Sequence, residues 1–102
     1  MPDSRNVFIT GSSSGFGRDT ALALAARGHT VLATMRGVNG KNASVAADMR
    51  SQAEKSGWSL HVLDLDVTDE GSVNSAVEQS IAVAGGIDVV INNAGVGTFG
   101  VQ

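Results

Sequence analysis

The run Thr10-Gly11-Ser12-Ser13-Ser14-Gly15-Phe16-Gly17 constrains the fold of this chain more than any other stretch. It follows an apolar triplet, Val7-Phe8-Ile9, and opens into a segment rich in alanine and leucine. Strand, glycine turn and helix in immediate succession make the layout that sets a dinucleotide pyrophosphate on a helix N-terminus. Each glycine has its own physical task. Gly11 lets the backbone turn sharply out of the strand. Gly15 leaves room for phosphates where a Cβ would collide, and Gly17 lets the helix sit close to the sheet. The unpaired N–H groups of the helix's first turn then face an anion, helped by the positive end of the helix dipole. The spacing is G-x-x-x-G-x-G, with threonine ahead of it and serines inside, rather than the commoner G-x-G-x-x-G. Standing alone, such a run also reads as a plain Gly/Ser turn before a helix.

Composition narrows the class. A chain of 102 residues holds one domain at most. With 42% hydrophobic and 17% charged residues it builds a packed core rather than a disordered coil. The net charge is −3 and no basic block occurs, which argues against nucleic acid and anionic membrane as partners. Cysteine is absent, so disulfides, thiolate metal sites and thiol catalysis are excluded, in keeping with a cytoplasmic enzyme. The polar start, Met1 to Asn6, carries no signal-peptide pattern, and no apolar run approaches transmembrane length.

Strand and helix patterns alternate along the chain. Strands are predicted over Val7 to Thr10, His29 to Met35, Trp58 to Leu65 and Ile87 to Ile91. Helices are predicted over Phe16 to Arg27, stopped by Gly28, over Ala43 to Ser56, stopped by Gly57, and from Thr68 to about Ala84, stopped by Gly85-Gly86. Thr68 is the expected N-cap of the third helix, with Asp69 and Glu70 matching the dipole in its first turn. The Gly37 to Asn42 segment reads as a mobile Gly/Asn loop. Strands spaced by such helices make right-handed parallel βαβ units, which puts the first two helices on one face of the sheet. The expectation is an α/β fold, a doubly wound parallel sheet of order 3-2-1-4 with three helices. Its switch point lies between the first and fourth strands.

Two further motifs end strands. Asp64-Leu65-Asp66-Val67-Thr68 closes the third and places an acid where it could accept a hydrogen bond from an adenine amino group; a simple capping turn is the alternative. Val89-Val90-Ile91-Asn92-Asn93-Ala94-Gly95 closes the fourth, and its apolar triplet suits a strand buried on both faces. The two asparagines could tie neighbouring strands together and line a cofactor channel, or form an Asn/Gly turn.

Taken together, Thr10-Gly11-x-x-x-Gly15-x-Gly17, Asp66-Val67 and Asn92-Asn93-Ala94-Gly95 resemble the N-terminal half of a short-chain dehydrogenase/reductase, across essentially the whole chain. The resemblance implies a Rossmann-like NAD(P)-binding domain and hydride transfer between nicotinamide and an alcohol or carbonyl. It implies that Gly11, Ser13, Ser14, Gly15, Phe16 and Gly17 hold the pyrophosphate, that Asp66 and Val67 contact adenine, and that Asn93, Ala94 and Gly95 lie on the ribose side. At the end of the second strand, Met35 occupies the place of the family's NAD-selecting acid and Arg36 follows it. A guanidinium can fork onto a 2′-phosphate, so NADP is expected over NAD, with Arg18 as a second candidate cation. Arg36 as a solvated loop residue is the alternative.

The family's catalytic serine and Tyr-x-x-x-Lys pair have no counterpart here, since the chain contains no tyrosine. No catalytic residue is assigned, and His29 and His61 lack metal-ligand spacing, so no metal site is assigned either. Residues 1–102 are therefore expected to be the N-terminal, cofactor-binding part of a single domain whose catalytic part is missing, with small-molecule substrate turned over only in a full-length form. An open edge beside the fourth strand would favour self-association. A non-catalytic dinucleotide-binding or regulatory module is the competing reading; the Asp-Val and Asn-Asn-Ala-Gly motifs argue against a methyltransferase-like binder.

Overall fold

A computed structural model describes residues 4–93, and the elements alternate strictly. They run β1 (Asn6–Thr10), α1 (Gly15–Ala26), β2 (Thr30–Met35), α2 (Ala43–Ser56), β3 (Leu60–Asp64), α3 (Glu70–Ala84) and β4 (Val89–Asn92). The strands form one parallel sheet in the order β3-β2-β1-β4, as expected. Strand ends are trimmed: β2, β3 and β4 begin one to two residues later than the apolar pattern suggests.

Side-chain alternation divides the core between the two faces of the sheet. Val7 and Ile9 of β1 and Val31, Ala33 and Met35 of β2 pack on one face, against Ala21 and Ala25 of α1 and Ala46, Met49 and Ala53 of α2. Phe8 and Leu32 point the other way and meet Leu65 and Ala76, the latter on α3. Small helical residues let α1 and α2 approach the sheet closely, on the shared face that right-handed crossovers demand.

Helix ends follow glycine. Gly57 and Gly85 sit directly after α2 and α3 with φ of +71° and +87°, the left-handed conformation that closes a helix cheaply only without a Cβ. The start of α3 corrects the sequence reading. Asp69, not Thr68, is the N-cap, and its Oδ1 accepts from the N–H groups of Gly71 (2.9 Å) and Ser72 (3.4 Å). Thr68 turns back instead and donates its hydroxyl to Asp66 Oδ1 at 2.6 Å. Loss of such a cap costs about 1 kcal/mol. Asp69→Ala should therefore lower the melting temperature by roughly 4–8 °C, read by thermal unfolding.

The two edges of the sheet differ. On β3, Ser59 and Leu65 hydrogen-bond toward β2, which turns the Val62 carbonyl outward. There Arg50 of α2 donates Nη2–H to it at 2.9 Å. Among the described residues β4 pairs on one side only, with β1, and Val89 and Val90 are 40% and 62% exposed. The burial expected for this apolar strand is therefore not supplied by the described residues. No helix among them is long and apolar enough to cross a membrane.

Candidate dinucleotide site at the carboxyl edge of the sheet

The carboxyl ends of β1 and β4 lie side by side, with Thr10 opposite Asn92 in register. The glycine run leaves β1 at this edge. Gly11 and Gly15 hold φ of +67° and +56°, so both turns out of the strand use conformations that a Cβ disfavours. Buried polar groups fix the path between them. Ile9's carbonyl accepts from Thr34 Oγ1 (2.7 Å) and Ser12 Oγ (3.2 Å), while Ser12's N–H donates to the Thr34 carbonyl at 3.0 Å. Ser12 is thereby a structural serine, fully buried, whereas Ser13 and Ser14 remain toward solvent.

Gly17 is where α1 meets the loop. A Cβ there would lie 2.1 Å from the Gly11 carbonyl oxygen and 2.6 Å from Asn93 Nδ2. A Cβ on Gly15, by contrast, would meet nothing within 4 Å in the protein. Open space thus faces the loop where the phosphates are expected. Asn93 Nδ2 donates to the Gly11 carbonyl (3.1 Å), and Thr10 Oγ1 donates to Asn92 Oδ1 (3.0 Å). Asn92 therefore ties β4 to the end of β1, and Asn93 ties the residue after β4 to the glycine loop, one of the roles that the sequence leaves open for them.

Helix α1 begins without a cap from its own chain. Ser14 is the N-cap residue but makes no side-chain capping bond, and no acid lies in the first turn. Helix α3 differs, with the Asp69 cap and Glu70. The first-turn N–H groups of α1 thus have no side-chain cap among the described residues, as at α2, the condition under which an anion can bind a helix N-terminus. The ring of Phe16 is 71% exposed.

Beside this loop is a cavity of about 130 Å³, lined by Gly11 and Ser13, by Met35 and Arg36 at the end of β2, by Lys41 and Asn42 before α2, and by Leu65 and Val67 after β3. Met35 is 2% exposed, whereas Arg36 is exposed. Lys41 and Asn42 escaped sequence reasoning, because only the folded turn brings them back beside Arg36. The Gly37 to Asn42 segment folds as a hydrogen-bonded turn. Arg18, the second candidate cation, pairs with Asp48 of α2 at 2.6 Å in a solvent-exposed ion pair.

Asp66 caps a local turn, accepting from the N–H (3.0 Å) and hydroxyl (2.6 Å) of Thr68 on Oδ1. These bonds, the hydroxyl's first, hold its carboxyl below the usual aspartate range, and the charge of Arg36 acts in the same direction. The ionised form is thus favoured by folding. Its stabilising effect is fully present above the unfolded-state pKa and is lost as pH falls through the lower folded value. Acid titration followed by amide NMR should show the Thr68 N–H signal shifting only below the ordinary aspartate range, and Asp66→Ala should abolish that transition. Ala94 and Gly95 lie outside the described residues. No metal-binding group of three or more His, Cys, Asp or Glu residues occurs among the described ones, where His29 Nδ1 accepts from the Arg5 N–H at 3.0 Å.

A glycine turn, an uncapped helix and a cavity at the switch point are shared by several nucleotide-binding families. The family profile described as short chain dehydrogenase matches residues 5–102. The chain belongs to the short-chain dehydrogenase family.

Curated relatives agree. A 3-ketodihydrosphingosine reductase of Bacteroides thetaiotaomicron is 42% identical over 94 residues, covering 92% of this chain and 29% of the relative. The short-chain dehydrogenase fogB of Aspergillus ruber is 37% identical over 97 residues, 95% of this chain and 36% of the relative. A 3-oxoacyl-[acyl-carrier-protein] reductase FabG of Aquifex aeolicus is 38% identical over 88 residues, 86% of this chain and 34% of the relative. The chain thus spans roughly a third of the length of these proteins. Among solved structures, menthone neomenthol reductase from Mentha piperita superposes with a TM-score of 0.75 at 26% identity, over 89% of this chain and 31% of its own. An actinorhodin polyketide ketoreductase crystallised with NADPH gives 0.77 at 24% identity over 91% and 34%, a likeness of fold alone. The family is one of nicotinamide-dinucleotide-dependent oxidoreductases, and the described elements are the nucleotide-binding strands and helices of its Rossmann fold.

Proposed function

We propose that this chain is the cofactor-binding part of an NADP-preferring short-chain oxidoreductase, moving hydride between nicotinamide and an alcohol or carbonyl. The observation that carries the reading is the uncapped N-terminus of α1 facing open space beyond Gly15, beside a cavity with Arg36 at its rim. Residues 1–102 are read as the N-terminal portion of a single domain, consistent with their covering about a third of each relative. The names of two relatives, a 3-keto and a 3-oxo reductase, support carbonyl reduction as the direction of the chemistry.

The bound dinucleotide would supply the hydride. This chain's residues would grip and orient it. The loop N–H groups from Ser13 to Gly17 would hold the pyrophosphate, with the α1 dipole reinforcing the bonds. Arg36 would take the 2′-phosphate, to which a guanidinium can offer two parallel donors. Asp66 and Val67 would border the adenine, Asp66 with the oxygen its Thr68 turn leaves over. Asn93 would act chiefly by anchoring the loop through Gly11, with Ala94 and Gly95 beyond it on the ribose side. No residue of this chain is assigned to proton transfer.

Isothermal titration of the chain with NADPH, NADH and S-adenosylmethionine tests this reading. NADPH should bind more tightly than NADH, and S-adenosylmethionine should not bind. Equal affinity for both nicotinamide dinucleotides would remove the NADP preference; binding of S-adenosylmethionine alone would remove the family's cofactor from this site.

A further inference from the structure

We propose that Asn39 is a covalent modification site: the Gly40 nitrogen attacks its side-chain amide, ammonia leaves, and the turn that begins at Gly37 sets the rate by holding that nitrogen. Asn39-Gly40 is the chain's one Asn-Gly pair. The inference goes beyond the dinucleotide reading and does not depend on what fills the neighbouring cavity.

Both residues are exposed, and the Asn39 amide makes no hydrogen bond among the described residues, so water and base reach it. The backbone does not require glycine at position 40. Gly40 is not among the glycines with positive φ, and a Cβ there would meet only the Gly37 carbonyl oxygen, at 3.9 Å. What the missing side chain leaves is an unshielded nitrogen next to the amide. The reaction balances with water alone. Gly40 N–H gives its proton to solvent, its nitrogen bonds to Asn39 Cγ, and the amide nitrogen leaves as ammonia, which closes a succinimide. Water then opens the ring at either carbonyl, to an aspartyl or an isoaspartyl residue.

The fold decides how fast this runs. Gly40 N–H donates to the Gly37 carbonyl at 2.9 Å, and the same oxygen accepts from Asn42 N–H at 2.9 Å. A nitrogen engaged in this way keeps its proton, so attack waits for the turn to open. Three features resist opening. Asn42 donates Nδ2–H to the Arg36 carbonyl at 2.6 Å. Val38 is buried, and its N–H donates to Asp64 Oδ1 at 3.2 Å. Gly37 takes φ of +63°, which a side chain disfavours. Either product puts a carboxylate in the turn that carries Lys41 and Asn42 to the cavity wall. The isoaspartyl form also inserts a methylene into the main chain ahead of Gly40, which draws its N–H off the Gly37 carbonyl.

The full chain, without added cofactor, is aged at mildly alkaline pH and mapped by peptide mass spectrometry, with isoaspartyl recognised by its resistance to a protease that cuts before aspartate. Position 39 should convert ahead of every other asparagine and give both products. Gly40→Ala, whose methyl the turn accommodates, should suppress conversion there. Asn42→Ala loosens the turn and should speed it roughly fivefold, the worth of about one hydrogen bond. Wild type unfolded in guanidinium should likewise convert at least as fast as Asn42→Ala, a comparison that needs no variant to fold. Earlier conversion at another asparagine, or a wild-type rate in Gly40→Ala, would overturn the site. Equal rates in folded and unfolded wild type would overturn control by the turn.

Discussion

Gly17→Ala should be the most damaging single methyl that can be added to this chain. Alanine normally stabilises a helix by about 1 kcal/mol relative to glycine. Here the new Cβ would sit 2.1 Å from the Gly11 carbonyl oxygen and 2.9 Å from its carbon, both backbone atoms that cannot rotate away. Relief requires the glycine loop and α1 to separate, which also breaks the 3.1 Å bond from Asn93 to the Gly11 carbonyl. Overpacking of this kind costs on the order of 3 kcal/mol, which lowers the melting temperature by roughly 10 °C or more. Gly15→Ala is the informative control. It meets no atom within 4 Å but must hold φ of +56°, a cost of about 1–2 kcal/mol. Denaturant unfolding followed by the fluorescence of Trp58, which packs against the larger core cluster, should rank the variants wild type, Gly15→Ala, Gly17→Ala. Wild-type stability in Gly17→Ala would show that the loop and helix do not meet as described.

Arg36→Glu should move cofactor preference further than any other exchange at the cavity. It deletes the guanidinium at the rim and sets a carboxylate in its place, so a 2′-phosphate meets repulsion where it had a charge-assisted donor. NADPH affinity should fall roughly a hundredfold, about 2.7 kcal/mol, while NADH affinity holds or rises, since glutamate can accept from ribose hydroxyls. Parallel titrations of both cofactors provide the check. An NADPH preference unchanged by the exchange would assign Arg36 to solvent and leave discrimination to other groups. Stability should hardly move, because the side chain is exposed and makes no hydrogen bond to a neighbouring element in the described structure.

Strand order, helix faces and the glycine loop were legible because each is written in a local pattern. An apolar triplet before glycine, alanines at helical spacing and glycine after the last turn retain their meaning wherever they occur. What escaped depends on choices between equivalent local options. Thr68 and Asp69 are both good caps; Asp66 decides by capturing the threonine, which leaves the helix to the aspartate. Arg18, Arg36 and Lys41 look alike in sequence. Asp48, thirty residues on, takes Arg18, and the Gly37 turn swings Lys41 toward Arg36. The shape of the Gly37 loop is not written in a local pattern: Gly37 supplies a positive φ and Asn42 a side-chain amide that bonds back to the Arg36 carbonyl.

The Arg50 bond to the Val62 carbonyl gives the sheet a polarity in its growth. One flank is stoppered, since an arriving strand at β3 would have to displace a cation that already occupies an outward-facing acceptor. The other flank, at β4, has no neighbouring strand among the described residues, and the exposed Val89 and Val90 point to opposite faces of the sheet there. Among the described residues, the β3 edge thus carries a side-chain plug on its outward carbonyl, and the β4 edge is the one left without a neighbouring strand or such a plug.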